Sequence, residues 1–411
     1  MKCGLLGHHL GHSYSPQIHS HLGNYSYDLF EKEPEELAYF LRHGDFTGLN
    51  VTMPYKMAVI PFLDELTPEA QFLGTVNTIV RKDGKLLGHN TDYFGFQSLL
   101  RRSGLSPAGK KCLVLGSGGA SKVAVAVLAE LGAEVVVVSR SGENHYGNLT
   151  RHSDAAMIVN ATPVGMYPHT GVSAVELGIF PHLEGVLDMV YNPARTKLLL
   201  DARKRGIVAE NGLWMLVAQA KAAAEWFTGQ SICDGTIKEI HTILKNQMEN
   251  IVLIGMPGCG KSTIGRLLAQ KTGKIFVDAD AEIEKLAKKS IPQIFAEDGE
   301  GAFRTLETQV LAELGKGSNL VIATGGGCVT REDNYPLLHQ NSTIFWLQRD
   351  VVKLPTEGRP LSQSNDLQVM YAARAPLYAL FADYRINNND TLEKAVAEIG
   401  DCHASARTVS Q

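Results

Sequence analysis

The sequence of 411 residues lacks several features that would narrow its class at once. It has no apolar run near the roughly 20 residues needed to cross a bilayer, and its N-terminus, MKCGLLGHHLGHS, turns polar too early for a secretory signal. It has no surplus of either charge: 20% of residues are charged and the net charge is −4, so there is no electrostatic case for a nucleic-acid or membrane partner. The six cysteines form no C-x-x-C pair and no metal-ligand spacing, which removes a disulfide framework and a zinc cluster. They read as reduced, buried residues of a cytoplasmic protein, and no repeat or low-complexity tract is present.

What remains is a chain that is 44% hydrophobic and too long for one ordinary core, so two or three domains are expected. Residues 1–95 alternate short strand-like pieces (CGLLG, YDLFE, GLNVT) with helical ones (PEELAYFLRH, PYKMAVIPFL). Residues 96–211 repeat that rhythm more cleanly: KCLVLG is a buried strand, SKVAVAVLAELG a helix closed by Gly132, and EVVVVSR a second strand. Residues 212–245 read as helical. The polar run KNQMEN at 245–250 reads as a short joining segment, after which NIVLIGMPGCGKST restarts a strand–loop–helix unit. The tail DCHASARTVSQ is expected to fray.

Two glycine-rich turns carry the first chemical information. Gly255-x-x-x-x-Gly260-Lys261-Ser262 is a complete P-loop between an apolar strand and a helix. Its backbone N–H groups (Gly258, Cys259, Gly260, with Thr263 beyond) would cradle phosphates. Lys261 would reach the β- and γ-phosphates and the Ser262 hydroxyl would ligate Mg²⁺. Asp278 and Asp280 follow at the end of the next strand, then FRTLE with Arg304, GGG at 325–327, GRPL with Arg359 and RAPLY with Arg374. An acid for a hydroxyl and arginines for a carboxylate suit an enzyme that phosphorylates a small hydroxy acid. The other turn, GSGGAS at 116–121, fits the dinucleotide fingerprint except that Ser121 replaces its third glycine. The following strand ends in Ser139-Arg140-Ser141 rather than an acid, which favours NADP(H) over NAD(H). Upstream, Lys56 and Asp92 stand among hydroxyls and amides: Ser13, Ser15, Thr52 and Asn77. Such a Lys–Asp pair can move a proton while a nicotinamide moves a hydride.

Residues 248–398 resemble shikimate kinase through DxD, FRxxE, GGG, RPL and RxPLY. The resemblance implies that Asp280 orients the reacting hydroxyls, Asp278 supports Mg²⁺, and Arg304, Gly326 and Arg374 hold the substrate. Arg359 would sit in a lid over ATP. The lid stretch is short and contains Pro355; Lys353 or Arg349 could stand in for an arginine lacking upstream, and neither is assigned. Residues 1–243 resemble shikimate dehydrogenase through HSxSPxxH, NVTxPxK, GxVNT, HNTDxxG, GxGGA, NATPxGM, DMVYNP and NGLxMLVxQA, with Trp214 in place of a small residue.

This second resemblance implies that Ser13, Ser15, Thr52, Asn77, Asp92, Tyr191 and Gln219 contact the substrate, with Lys56 and Asp92 as the catalytic pair. Gly116, Ser117, Gly118, Gly119 and Ala120 would hold the NADP pyrophosphate, Ser139, Arg140 and Ser141 the 2′-phosphate, and Met189 and Gly212 the nicotinamide side. The expected architecture is α/β throughout. A substrate domain (1–95, completed by 212–245) and a Rossmann-like NADP domain (96–211) precede a P-loop NMP-kinase-like domain (248–411). The expected function is a bifunctional enzyme of aromatic amino-acid biosynthesis that reduces 3-dehydroshikimate with NADPH and phosphorylates shikimate with ATP and Mg²⁺. A degenerate kinase half, a metabolite-sensing regulator, added use of quinate and a homodimer stay open.

Overall fold

The computed structural model describes residues 1–11, 13–354 and 367–405. Among the described residues sixteen strands make three sheets. The first holds β1 (Lys2–Gly7), β2 (Ser26–Glu31), β3 (Gly48–Val51), β4 (Glu65–Leu66), β5 (Thr78–Lys82) and β6 (Lys85–His89) in the order β2-β1-β3-β5-β6-β4. β5 runs antiparallel to both of its neighbours; the other pairings are parallel. The second sheet is all parallel, with β7 (Lys111–Leu115), β8 (Glu134–Val138), β9 (Met157–Asn160), β10 (Gly185–Asp188) and β11 (Val208–Glu210) ordered β11-β10-β9-β7-β8. The third, also all parallel, orders β12 (Asn250–Ile254), β13 (Ile275–Asp278), β14 (Leu320–Ala323), β15 (Ser342–Gln348) and β16 (Tyr384–Asn387) as β13-β14-β12-β15-β16.

The central strands β7 and β12 are continuous apolar runs because helices cover both faces of a parallel sheet. Cys112 to Leu115 and Ile251 to Ile254 are completely buried. Each buried Leu, Ile or Val contributes roughly 1.5–3 kcal/mol, so these runs commit their segments to the sheet centre. Separate cores form around Leu6, Leu49 and Ile79, around Val114, Val123 and Val159, and around Leu253, Ile264 and Phe345.

Contacts divide the described chain into two compact units. The first comprises Met1–Gly165, Val172–Tyr191 and Asp201–Ile243; the second comprises Met166–Gly171, Asn192–Leu200 and the chain from Leu244 onward. Residues 166–171 and 192–200, expected within the nucleotide-binding region, thus belong to the second unit. In that unit Arg195 is held by the carbonyl of Gln340 (from its N–H, 2.8 Å), the carbonyl of His339 (from Nε, 2.6 Å) and the carbonyl of Ser342. Arg195 also lies 3.6 Å from the buried Glu249 carboxylate. Burial would raise the Glu249 pKa, but Arg195, Lys245 and His403 hold it below the usual range.

Three local expectations change. KNQMEN, read as a short joining segment, instead supplies the last turn of the helix Gly235–Met248 and the first residue of β12. The polar Asn250 is buried because its amide donates to the Gly317 carbonyl and its oxygen accepts the Leu320 N–H, both at 2.9 Å. PYKMAVIPFL forms only the four-residue helix Tyr55–Ala58 and a 3₁₀ turn at Ile60–Phe62, with Pro61 unable to donate in a longer helix. The helix Leu392–Ser405 continues past Gly400, since Val396, Ile399 and the buried His403 make one helical stripe.

Candidate functional sites

In the first unit, Lys56 sits on the short helix after β3, and Asp92 is the first residue of the helix Asp92–Ser103. Their side chains meet at Lys56 Nζ–Asp92 Oδ2 2.6 Å, both partly shielded from solvent. Gly95, one turn after Asp92, explains the glycine of HNTDxxG. A Cβ there would lie 2.9 Å from the Met215 carbonyl and 3.0 Å from Gln219 Cβ, so only glycine lets the helix Leu213–Thr228 pack this closely. That contact brings Gln219 to Asn77, whose Nδ2 donates to Gln219 Oε1 at 3.4 Å.

Asn77 is almost fully buried, and its oxygen accepts the Thr91 N–H at 2.7 Å and the Thr78 and Thr91 hydroxyls at 3.1 Å. Its oxygen is therefore occupied with fixing the start of the Asp92 helix. Tyr191 packs edge-on to Tyr14 at 6.2 Å, and burial raises the pKa of both. Ser13 and Ser15 lie at the start of the helix Ser15–His19, the Ser15 N–H donating to Ser13 Oγ at 3.2 Å, and the Thr52 N–H donates to the Leu6 carbonyl at 2.9 Å.

The dinucleotide turn follows β7. Gly116 adopts φ +110°, and a side chain there would crowd Thr162 and Ala161. Gly118 caps the helix Gly119–Glu130, so Ser117, Gly119 and Ala120 stand at a helix N-terminus suited to an anion. Ser121, the departure from the fingerprint, is buried and donates its hydroxyl to the Gly116 carbonyl at 2.6 Å. It ties the turn that the missing glycine would otherwise leave free. Ser139, Arg140 and Ser141 follow β8 directly, with Arg140 and Ser141 exposed. Gly212 has no room for a side chain: a Cβ would sit 2.1 Å from the Met189 carbonyl oxygen. Met189 and Gly212 are thereby placed side by side. These glycine and serine positions fit a dinucleotide.

In the second unit a cleft of about 590 Å³ gathers Gly258, Gly260, Lys261, Ser262, Thr263, Asp278, Asp280, Arg304, Gly326 and Arg374. Lys261 donates to the carbonyls of Gly255 (2.9 Å) and Met256 (3.0 Å), and the Ser262 hydroxyl donates to Asp278 Oδ2 at 2.7 Å. A hydroxyl and a carboxylate oxygen so placed fit a Mg²⁺ ion shared with phosphate oxygens. Among the described residues no cluster of three or more His, Cys, Asp or Glu could hold a metal unaided. Cys259 is fully buried and its carbonyl accepts from Asn388 at 2.5 Å. Arg359 lies outside the described residues.

Glu307, the last residue of FRTLE, joins the site although no role for it was expected. It is fully buried, pairs with Arg304 at 2.8 Å and leaves its Oε1 without a partner; Asp280 Oδ1 is likewise buried and unpartnered. Burial raises the pKa of both acids, against the pull of Arg304 on Glu307 and of Lys261 on Asp280. Burial works against charge on Arg304 too, but Glu307 and Glu300 raise its pKa. The signal was the spacing in FRTLE, where i and i+3 share a helix face. The triple glycine is explained by the same crowding. A Cβ on Gly325 would meet Glu307 Oε1 at 2.7 Å and Asp280 Oδ1 at 2.9 Å, and one on Gly327 would meet Arg304 Nη2. Arg374 Nη1 (3.2 Å) and the Tyr378 hydroxyl (2.5 Å) both donate to the Gly326 carbonyl.

A parallel sheet bearing a glycine turn, joined to a Lys–Asp pair, defines a dinucleotide-dependent dehydrogenase unit; a P-loop facing two carboxylates and two arginines defines a phosphotransferase unit. The shikimate dehydrogenase substrate binding domain model matches residues 5–79, and the shikimate kinase model matches residues 257–403. A shikimate dehydrogenase (NADP(+)) of Clostridium perfringens is 37% identical over 264 residues, 59% of this chain and 97% of that protein. The crystal structure of shikimate dehydrogenase 1 from Peptoclostridium difficile is 34% identical with TM-score 0.55, covering 59% of this chain and 97% of that one. The shikimate 5-dehydrogenase of Thermus thermophilus, solved in complex with NADP(H) and shikimate, is 32% identical with TM-score 0.54, covering 59% and 98%. The chain belongs to the shikimate dehydrogenase family and carries a shikimate kinase domain after it: it is a bifunctional enzyme.

Proposed function

We propose that the two units act on one cyclic acid in succession: NADPH-dependent reduction of 3-dehydroshikimate to shikimate, then transfer of the ATP γ-phosphoryl to the shikimate 3-hydroxyl. The Lys56–Asp92 pair, in a chain that also carries a complete P-loop cleft, is the observation that carries this reading. Bound NADPH supplies the hydride. The Lys56 ammonium gives its proton to the ketone oxygen as that oxygen gains charge, and Asp92, 2.6 Å away, holds and aims it. Ser13, Ser15, Thr52, Asn77, Tyr191 and Gln219 hold the ring's hydroxyls and carboxylate. Gly116 to Ala120 seat the pyrophosphate, with Ser139, Arg140 and Ser141 at the 2′-phosphate and Met189 and Gly212 beside the nicotinamide.

In the second unit Gly258 to Thr263 bind the triphosphate, Arg304 and Arg374 hold the acid with Gly326, and Asp280 accepts the hydroxyl proton as the new O–P bond forms and ADP leaves. Mg²⁺, held through Ser262 and Asp278, supplies charge neutralisation on the phosphates. Arg359 completes the ATP site. No nucleic acid or membrane takes part. NADPH and ATP dependence and six cysteines without disulfides fit a cytoplasmic enzyme.

The test is a paired assay on the purified full chain: NADPH loss on 3-dehydroshikimate and ADP release on shikimate. Both should be observed, Lys56→Ala removing only the first and Lys261→Ala only the second. Loss of both activities from either single change would refute independent sites.

A further inference from the structure

Among the described residues the phosphate cleft contains one cation with no assigned task. Arg349 follows β15 directly and lines the same cavity as Lys261, Ser262 and Asp280. Its position is fixed by the sheet. β15 pairs with the P-loop strand, Trp346 opposite Ile254, and the Leu347 carbonyl lies 2.7 Å from where a Cβ of Gly255 would be. Arg349, two residues further, therefore emerges at the carboxyl end of the strand beside the first glycine of the P-loop, the end where parallel α/β sheets bind ligands.

The other cations of the cleft are engaged. Arg304 is paired with Glu300 and Glu307, Lys261 donates to two P-loop carbonyls, and Arg374 donates to Gly326. Arg349 is half-buried, its Nε is buried without an acceptor, and it makes no hydrogen bond or ion pair among the described residues. Withdrawing a guanidinium from water without giving it an acceptor is costly. The cost is explained if the acceptor arrives with a ligand. The lining otherwise balances Lys261, Arg304, Arg349 and Arg374 against Asp278, Asp280, Glu284 and Glu307. A bound nucleoside triphosphate therefore needs every cation that is free to turn toward it.

We propose that Arg349 binds the phosphate chain of the nucleoside triphosphate and stabilises the charge that spreads over the transferring phosphoryl group. This rests on the kinase reading above. The reaction itself is unchanged: the acceptor oxygen bonds to the γ-phosphorus, the bridging oxygen departs with ADP, and the acceptor's proton leaves. Arg349 adds N–H donors to the phosphate oxygens, a planar fork that lysine reproduces only as a point charge.

The test uses the full chain with Arg349→Gln and Arg349→Lys, steady-state kinetics with MgATP and shikimate, and calorimetric titration of MgATP. In Arg349→Gln, kcat/KM for ATP should fall about 100-fold or more, the KM for shikimate should stay within about 2-fold, and Arg349→Lys should recover part of the loss. The melting temperature should not fall, because the group removed is a half-buried guanidinium whose Nε has no acceptor. Kinetic constants for ATP within about 2-fold of the parent would overturn the assignment, as would a rise in the shikimate KM alone. Absence of ADP release from the parent chain would instead overturn the kinase reading, so the two failures are distinguishable.

Discussion

The contact between Lys56 and Asp92 yields the most exposed prediction. Lys56→Met removes the proton donor while keeping an unbranched side chain of similar length; Asp92→Asn keeps the shape and removes the charge 2.6 Å from Nζ. A positioned general acid contributes about 10²–10⁴ in rate, or roughly 3–5 kcal/mol of transition-state stabilisation. Lys56→Met should lose that much of kcat for NADPH oxidation on 3-dehydroshikimate. Asp92→Asn should approach the same loss, because an unaimed ammonium delivers its proton poorly. If the two side chains work as one unit, the double variant will be scarcely worse than the worse single one. Circular dichroism and undiminished ADP release on shikimate would confirm that the chain still folds. A kcat loss under about 10-fold for Lys56→Met, or fully additive losses in the double variant, would refute the pair as proton donor and holder.

Three further outcomes follow from particular contacts. His19 and His89 are buried, and desolvation lowers their pKa values from 6.5 to about 3 and about 4, against weaker opposing pulls from Asn50 and Glu69. Depressed histidines are neutral in both folded and unfolded chains above pH 6.5, so stability is intact there and is lost as pH falls toward 4, by about 1.4 kcal/mol per pH unit per histidine. Urea midpoints of the first unit should drop between pH 6.5 and 4.5, and His89→Phe should blunt the drop; a flat profile would contradict the burial. Gly212→Ala places a methyl on the Met189 carbonyl, 2.1 Å from its oxygen, and should cost about 1–3 kcal/mol while raising the KM for NADPH, with kinase kinetics unmoved. Arg195→Ala deprives the buried Glu249 of the first of the three cations that act on it and should lower the second unit's stability by about 3 kcal/mol, read by calorimetry; a change below about 0.5 kcal/mol would mean the pair contributes nothing.

Features whose chemistry is local can be read from the order of residues alone. A P-loop needs glycines, a lysine and a hydroxyl at fixed spacing between a strand and a helix, and Gly255 to Thr263 carry all of these in one stretch. The buried runs KCLVLG and NIVLI announce central parallel strands through composition alone. Features that depend on distant segments meeting emerge only in the folded chain. Nothing in KNQMEN shows that Asn250, the first residue of NIVLI, will satisfy its side-chain amide on Gly317 and Leu320, about 70 residues away. Nothing near Glu307 shows that its oxygen and that of Asp280 will converge where Gly325 has no side chain. In the sequence Arg349 stood only beside Lys353 as a stand-in for a missing lid arginine: a residue that follows a strand gains a definite place only when the sheet sets that strand beside the P-loop. Patterns along a chain record which backbone shape each segment can take, whereas which charges and which voids become neighbours is settled by packing.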